Sequence, residues 1–237
     1  MRELAPSITE TVYRALRAEL LACRLPPGQK LKIDALCRRL GAGSSAVREA
    51  LARLAADGFV DSEPQRGFRV RPLALDELQD LTATRIQIEG LCIADALAHG
   101  DLEWETGVVA ALHRLSRTPV HAEGDPPRYG EAYALAHNAF HEAVVAACRS
   151  PWLLKLRTLL YLQHERFRVM SRPLARVERD LDTEHRQIAE AALARDVART
   201  CEAMAEHLRT TARIIIEAGT HSAAIATTGD AFGRRRA

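Results

Sequence analysis

The sequence predicts a mainly α-helical chain in two units: a basic head with a short β-hairpin, then an all-α antiparallel helical bundle. Three observations carry that expectation. Apolar residues recur at helical spacing along most of the 237 residues, and strand-like runs fall only between residues 59 and 70. Residues 1–71 hold 13 Lys and Arg against 8 Asp and Glu, net +5, whereas residues 72–237 hold 20 against 23, net −3. Arg71-Pro72 interrupts the pattern, which sets the expected units at 1–71 and 72–219, and the aperiodic stretch 220–237 reads as a disordered tail.

In the first unit, Ile8, Val12, Leu16 and Leu20 form one apolar stripe of a helix from Ser7 to Cys23. Ser7 and Glu10, three residues apart, make a capping box at its start. Pro26-Pro27-Gly28 stops the helix, and Leu31 and Ile33 enter a short extended piece. Asp34 is the expected cap of a second helix, Ala35–Leu40, closed by Gly41. Ser44 or Ser45 is the expected cap of a third, running to about Asp57 with Val47, Leu51 and Leu54 inward and Arg48 and Arg53 off that stripe. Two short helices joined by a Gly-containing turn are the helix-turn-helix layout, whose second helix enters the major groove. Phe59-Val60 and Phe68-Arg69-Val70 flank a tip at Glu63–Gly67 that is basic and contains glycine, the make-up of a wing.

From Asp76 onward no strand pattern is visible. Helices are expected near 76–99, 101–117, 127–148, 151–171, 174–194 and 197–218, separated at Gly100-Asp101, Pro119 to Pro127, Ser150-Pro151 and Arg195-Asp196. The five cysteines are scattered without a C-x-x-C pair, so they read as small buried hydrophobes in a reducing compartment. No apolar run approaches the roughly 18 residues of a membrane span, and Met1 to Pro6 lack a signal-peptide core, so a cytoplasmic protein is expected.

Four of the nine histidines are arranged for chemistry. His137 and His141 are four residues apart and share a helix face. His185 and His207 stand about ten residues before and after the Arg195-Asp196 break, so a helix hairpin there brings them level. Opposed, the two pairs form an imidazole site for a transition metal; the alternative is a polar pocket whose histidines bind an organic acid directly. His99, His113, His121, His164 and His221 show no partner pattern and read as packing or surface residues. Arg85 and Glu89, also four apart, read equally as a helix-stabilising pair or as an Arg85 clamp on a ligand carboxylate.

The run LPPGQKL…LCRRLGAGSSAVREALARLAADGFVDSEPQRGFRV resembles the N-terminal domain of GntR-family bacterial transcriptional regulators, over the whole first third and with the family's spacing. Its core is Val47-Arg48-Glu49-Ala50-Leu51, then Leu54, Gly58, Phe59 and the Arg66-Gly67 tip. The resemblance implies a winged helix-turn-helix that binds double-stranded DNA. The family usually begins its recognition helix Ser-Arg-Thr-Pro, whereas this chain has Gly43-Ser44-Ser45-Ala46. Ser44 therefore replaces the base-reading Arg, and the usual operator sequence does not carry over. Ser44, Ser45, Arg48, Arg66, Gly67 and the helix N-terminus remain to hold phosphates.

AFHEAV, EHRQIAEAALARD and MAEHL resemble the FCD effector domain of the FadR subfamily, as does TATRIQIEGLCIADALA. Many members bind a divalent metal through an Asp or Asn, a His four residues on and two later histidines. The three family histidines fall on His141, His185 and His207, and His137 stands where an acid or amide is usual. Four nitrogens then favour Zn²⁺ or Ni²⁺ over Mn²⁺.

The function expected is a ligand-responsive regulator: a homodimer on a palindromic operator, modulated by a small carboxylate effector held with the help of the metal. The competing enzyme reading, a metal-dependent hydrolase or lyase with an accessory winged helix, needs a general acid or base beside the ion. Glu142 and Glu184 adjoin ligand histidines, but neighbours on a helix point about 100° apart. G-x-S-x-G, H-E-x-x-H and phosphate-loop motifs are absent. An architectural DNA binder without an effector leaves the histidines unexplained.

Overall fold

The computed structural model describes residues 6–63, 65–122, 125–171 and 179–220. The head begins with α1 (Ile8–Leu21), β1 (Lys30–Leu31), α2 (Ile33–Leu40) and α3 (Ser44–Ala56), and ends with β2 (Val60–Glu63) and β3 (Gly67–Val70). Three members of the α1 stripe are buried, Val12, Leu16 and Leu20, packed with Val47, Leu51 and Leu54 of α3, whereas Ile8 in the first turn is 66% exposed. Ser7 Oγ accepts the Glu10 N–H at 3.1 Å. The reciprocal half of the capping box is not made, because the Glu10 carboxylate instead takes Arg14 at 2.7 Å and Arg53 at 3.0 Å.

The helix-turn-helix stands, with two of its caps corrected. The second helix starts at Ile33 behind Lys32, so Asp34 lies in the first turn, where a carboxylate favours the positive end of the helix dipole. Gly43 is the N-cap of α3, and Ser44 and Ser45 are its first helical residues. Gly41 closes α2 at φ 61°, a left-handed value that suits glycine. The wing has a third strand: β1 pairs antiparallel with β3, giving the order β1-β3-β2; of the expected extended piece Leu31 belongs to it, whereas Ile33 opens α2.

The bundle consists of α4 (Leu75–His99), α5 (Leu102–Ser116), α6 (Glu131–Val144), α7 (Pro151–Ser171), α8 (Leu181–Leu193) and α9 (Val197–Thr220). Between α5 and α6 run β4 (His121–Ala122) and β5 (Asp125–Tyr129), an antiparallel pair that the sequence pattern did not announce. Pro126-Pro127 explains it: two prolines without N–H groups favour extended backbone and delay the helix expected from 127 until Glu131. That helix stops at Val144, and 145–148 continue as a turn of i to i−3 bonds rather than helix. The helix expected over 174–194 is described from Leu181, and its first part lies outside the described residues. Thr220, placed in the tail, closes α9; the rest of the tail is likewise outside.

Ile93, Val108, Phe140, Ile188, Met204 and Leu208 form one core shared by α4, α5, α6, α8 and α9. Cys92 and Cys148 are buried in it, whereas Cys23, Cys37 and Cys201 are only half-buried. No helix of the described residues is long and apolar enough to cross a membrane.

The α4–α5 corner is tight. Asp101 caps α5 by accepting the Trp104 N–H at 2.9 Å, which lays the Trp104 ring against Gly100. A Cβ on Gly100 would meet Trp104 Cε3 at 2.5 Å and Arg195 Nη1 at 2.7 Å. Gly100→Ala is therefore expected to cost about 1–3 kcal/mol, as overpacking does, read as a lower midpoint in urea denaturation.

Candidate functional site

The histidine site is built by three helices. Four-residue spacing puts His137 and His141 on the inner face of α6. The α8–α9 hairpin turns at Arg195 (φ 59°), whose side chain donates to the Leu97 carbonyl at 3.0 Å and to Glu105 at 2.6 Å. Asp196 Oδ1 then accepts the Arg199 N–H at 2.9 Å at the start of α9. This hairpin brings His185 and His207 level, with ring centroids 4.8 Å apart. All four imidazoles are buried, and one nitrogen from each falls within 4.8 Å of the others.

These residues fit a metal ion. His137 Nε2 and His141 Nε2 lie 3.2 Å apart, close to the edge of about 3.3 Å in a tetrahedron with Zn–N of 2.0–2.1 Å. Burial pushes His137, His141, His185 and His207 below the ordinary histidine value, His185 to about 3, so the rings are neutral and keep the lone pairs a metal needs. His137 Nδ1, His141 Nδ1 and both nitrogens of His185 have no hydrogen-bond partner despite being buried. An ion held by the Nε2 atoms of His137 and His141 would take up one of these orphaned nitrogens, that of His185, which otherwise costs roughly 1–3 kcal/mol; the convergence of four nitrogens is what fits a metal.

Glu184 supplies what the sequence reading missed. Its carboxylate accepts from His207 Nδ1 at 2.8 Å and from Arg179 Nε at 2.7 Å. With Nδ1–H committed to Glu184, the His207 Nε2 lone pair is left for an ion, the carboxylate–histidine arrangement of metal sites. Burial pushes the Glu184 carboxyl up, but His207 and Arg179 outweigh it and hold it at about 2. An acid in the first turn of a helix, four places after the N-cap Asp180 and beside a ligand histidine, was the available signal. Glu142 is exposed and accepts from Asn138 at 2.9 Å, so neither carboxylate is a free general base.

Arg85 is 2% exposed, and its bonds to Glu89 are long, with Nε and Nη2 both 3.3 Å from one oxygen. The other Glu89 oxygen accepts Arg157 Nε at 2.8 Å, and Arg157 Nη2 donates to the His141 carbonyl at 2.8 Å. Two buried guanidinium groups thus share one carboxylate, which favours an anion near Arg85. The pair is no surface helix staple.

His164, which the sequence left as ordinary, is 1% exposed with Nε2 unpartnered. Burial and then the charges of Arg85 and Arg168 hold it well below the usual histidine value. Outside the bundle, His185 borders a cleft of about 270 Å³ between α5 and α8, also lined by His113, Asp182 and Arg186.

On the head, Ser44, Ser45, Arg48 and Arg66 are exposed, and Gly67 is half-buried at φ 92°. Arg48 and Arg66 have no ion-pair partner among the described residues, unlike Arg39, which pairs with Glu19 at 2.7 Å, and Arg53, which pairs with Glu10 and stacks on Tyr13.

Known proteins bear on this architecture. The model of the "Bacterial regulatory proteins, gntR family" matches residues 8–70, and that of the "FCD domain" matches residues 80–210. The chain is 36% identical over 213 residues to the HTH-type transcriptional regulator BphR of Paraburkholderia xenovorans, covering 90% of this chain and 87% of BphR. It is 35% identical over 210 residues to the HTH-type transcriptional repressor GlaR of Escherichia coli K12, covering 87% and 94%. The fold is similar to that of E. coli McbR/YncC, with a TM-score of 0.74 at 21% identity over 90% of this chain and 99% of that one.

Two outcomes test the histidine site. Protein loaded with Zn²⁺ and desalted is expected to retain close to one ion per chain by elemental analysis. His141→Ala and His185→Ala are each expected to retain less than a tenth of that.

Proposed function

The chain belongs to the GntR family of bacterial regulatory proteins, with an FCD domain behind its winged helix-turn-helix; it is a DNA-binding transcriptional regulator and not an enzyme, and on that premise we propose that it is a cytoplasmic, metal-dependent sensor of a small carboxylate. The observation that carries this reading is the cluster of four buried, neutral histidines with one nitrogen of each within 4.8 Å of the others. His137, His141, His185 and His207 would hold a divalent ion, zinc first and nickel second, as four imidazoles favour. A bound ion would supply positive charge and, on expanding from four ligands to five, a position for a carboxylate oxygen. Arg85 orients the same carboxylate, because its own partner Glu89 is already engaged by Arg157.

The head would dock with α3 in the major groove. Ser44 and Ser45 at its N-terminus and Arg48 one turn on hold phosphates or base edges, and Arg66 and Gly67 at the wing tip reach the adjacent backbone. Two heads on a two-fold axis would read a palindromic operator, which requires a homodimer. An apolar stripe supports that assembly: Trp152, Leu156 and Leu159 lie along one face of α7, and Trp152 is 72% exposed. Leu91 is exposed on α4 at the level where Glu89 meets Arg157. A second copy would cover these residues, as such patches mark association surfaces.

Three measurements check the reading. Arg48→Ala is expected to weaken retention of duplexes selected from a random pool by about 5- to 150-fold at fixed salt, the range for about 1–3 kcal/mol, in a gel shift; unchanged retention would overturn the docking of α3. Leu156→Asp is expected to convert a sedimenting dimer to monomer. Screening small mono- and dicarboxylates against zinc-loaded protein is expected to find a specific rise in Tm that Arg85→Gln abolishes.

A further inference from the structure

The helix α7 presents two opposite faces, at about 100° per residue, to two different parts of the molecule. Arg157, Tyr161, His164 and Arg168 follow one another on the bundle side. Arg157 donates to the carbonyl of His141, and the Tyr161 ring lies 5.0 Å from the Arg85 guanidinium. His164 stands between Tyr161 and Arg168, buried and unpartnered at Nε2.

The opposite side holds the head. Gln163 Nε2 donates at 2.7 Å to the carbonyl of Asp57, the C-cap of α3. Arg166 donates at 2.7 Å to the carbonyl of Arg71, where the head ends, and at 3.2 Å to Gln163 Oε1. Its guanidinium lies 5.6 Å from the centre of the Phe59 ring, the Cys23 thiol donates to the Arg166 carbonyl at 3.6 Å, and Leu162 packs on the head's core.

Arg166 is the largest fully buried side chain among the described residues, and no carboxylate there forms an ion pair with it. A buried cation satisfied by carbonyls and an amide gains little over the same cation in water. The head is therefore held in part by polar bonds that solvent can replace, beside the apolar contact of Leu162 with its core. A modest bias moves such an interface if its docked and released arrangements lie within a few kcal/mol of each other.

We infer that α7 carries the occupancy of the four-histidine site to the DNA-reading helix, with Arg157 as its link to α6 and with Gln163 and Arg166 as positioning residues that grip the head. The inference rests on the metal reading for its input and goes beyond it in naming the route. An arrangement of α6 favoured by the ion is passed from the His141 carbonyl through Arg157 to a rigid helix. The far side of that helix is bonded to the last turn of α3.

Hydrogen exchange on the full-length protein tests the route, with Zn²⁺ alone as the probe. In the unaltered chain, zinc is expected to slow exchange in α6, α8 and α9 and, by at least threefold, at residues 54–59. In the Gln163→Ala/Arg166→Ala variant the first three segments keep their response and residues 54–59 lose theirs. Zinc protection of the bundle with no response at 54–59 in the unaltered chain overturns the inference and spares the metal reading; an equal response in the variant does the same. A double-mutant cycle without metal carries the test should zinc protect nothing, an outcome that would sink the metal reading alone. His164→Ala, made on the bundle face, is expected to change exchange at 54–59 at least threefold, and to change it less than 1.5-fold in a Gln163→Ala background. Equal effects in both backgrounds overturn the route.

Discussion

Four imidazoles in one buried pocket are the constraint around which the bundle is arranged. Burial drives each ring toward its neutral form, and the buried nitrogens that lack a partner are themselves unfavourable. The four orphaned nitrogens of His137, His141 and His185 together amount to several kcal/mol. A domain has only about 5–15 kcal/mol of net stability, so that is a large fraction of it. The surroundings lean the same way. Phe140 meets the His141 and His185 rings edge-on and keeps solvent out, and Glu184 fixes His207 in the tautomer that leaves Nε2 available. The pocket is organised for an occupant.

Its charge is organised as well. Arg85 and Arg157 divide one carboxylate between them, and Arg168 takes both oxygens of Glu165 at 2.6 Å. Coulombic attraction inside a low-dielectric bundle is strong, and the long bonds of Arg85 to a carboxylate it shares with Arg157 leave its guanidinium suited to an anion. The same helices that hold these charges also hold the head, which is why electrostatics in the bundle and orientation of α3 belong to one system.

Much of this was legible in the sequence because it is periodic. Helical spacing located α1, α3 and the His137–His141 pair, and the symmetric distance of His185 and His207 from Arg195-Asp196 located their meeting point. What was illegible depends on partners distant in sequence. His164 has no local pattern; it becomes part of the pocket wall only because α7 lies against α4, where Arg85 is. Arg166 reads as one more charge on a polar helix, and its burial follows from the head sitting on it. The β4–β5 pair was missed because two prolines were counted only as helix breakers, although the same fixed φ that stops a helix also suits an extended edge. The caps of α2 and α3 shifted by a residue or two because backbone turns at Lys32 and Gly43 took the role assigned to side chains.

The grip of α7 on the head is made to main-chain carbonyls, those of Asp57 and Arg71. A carbonyl is the same whatever side chain its residue carries. Those two bonds therefore follow the path of the head's backbone, while Cys23, Phe59 and the core under Leu162 are the side chains the contact also depends on. Ser44, in place of a base-reading arginine, is not among them. Regulators of this design are free to change which DNA they read without relearning how to listen, and a head of the same backbone from another regulator would find its attachment points already in position.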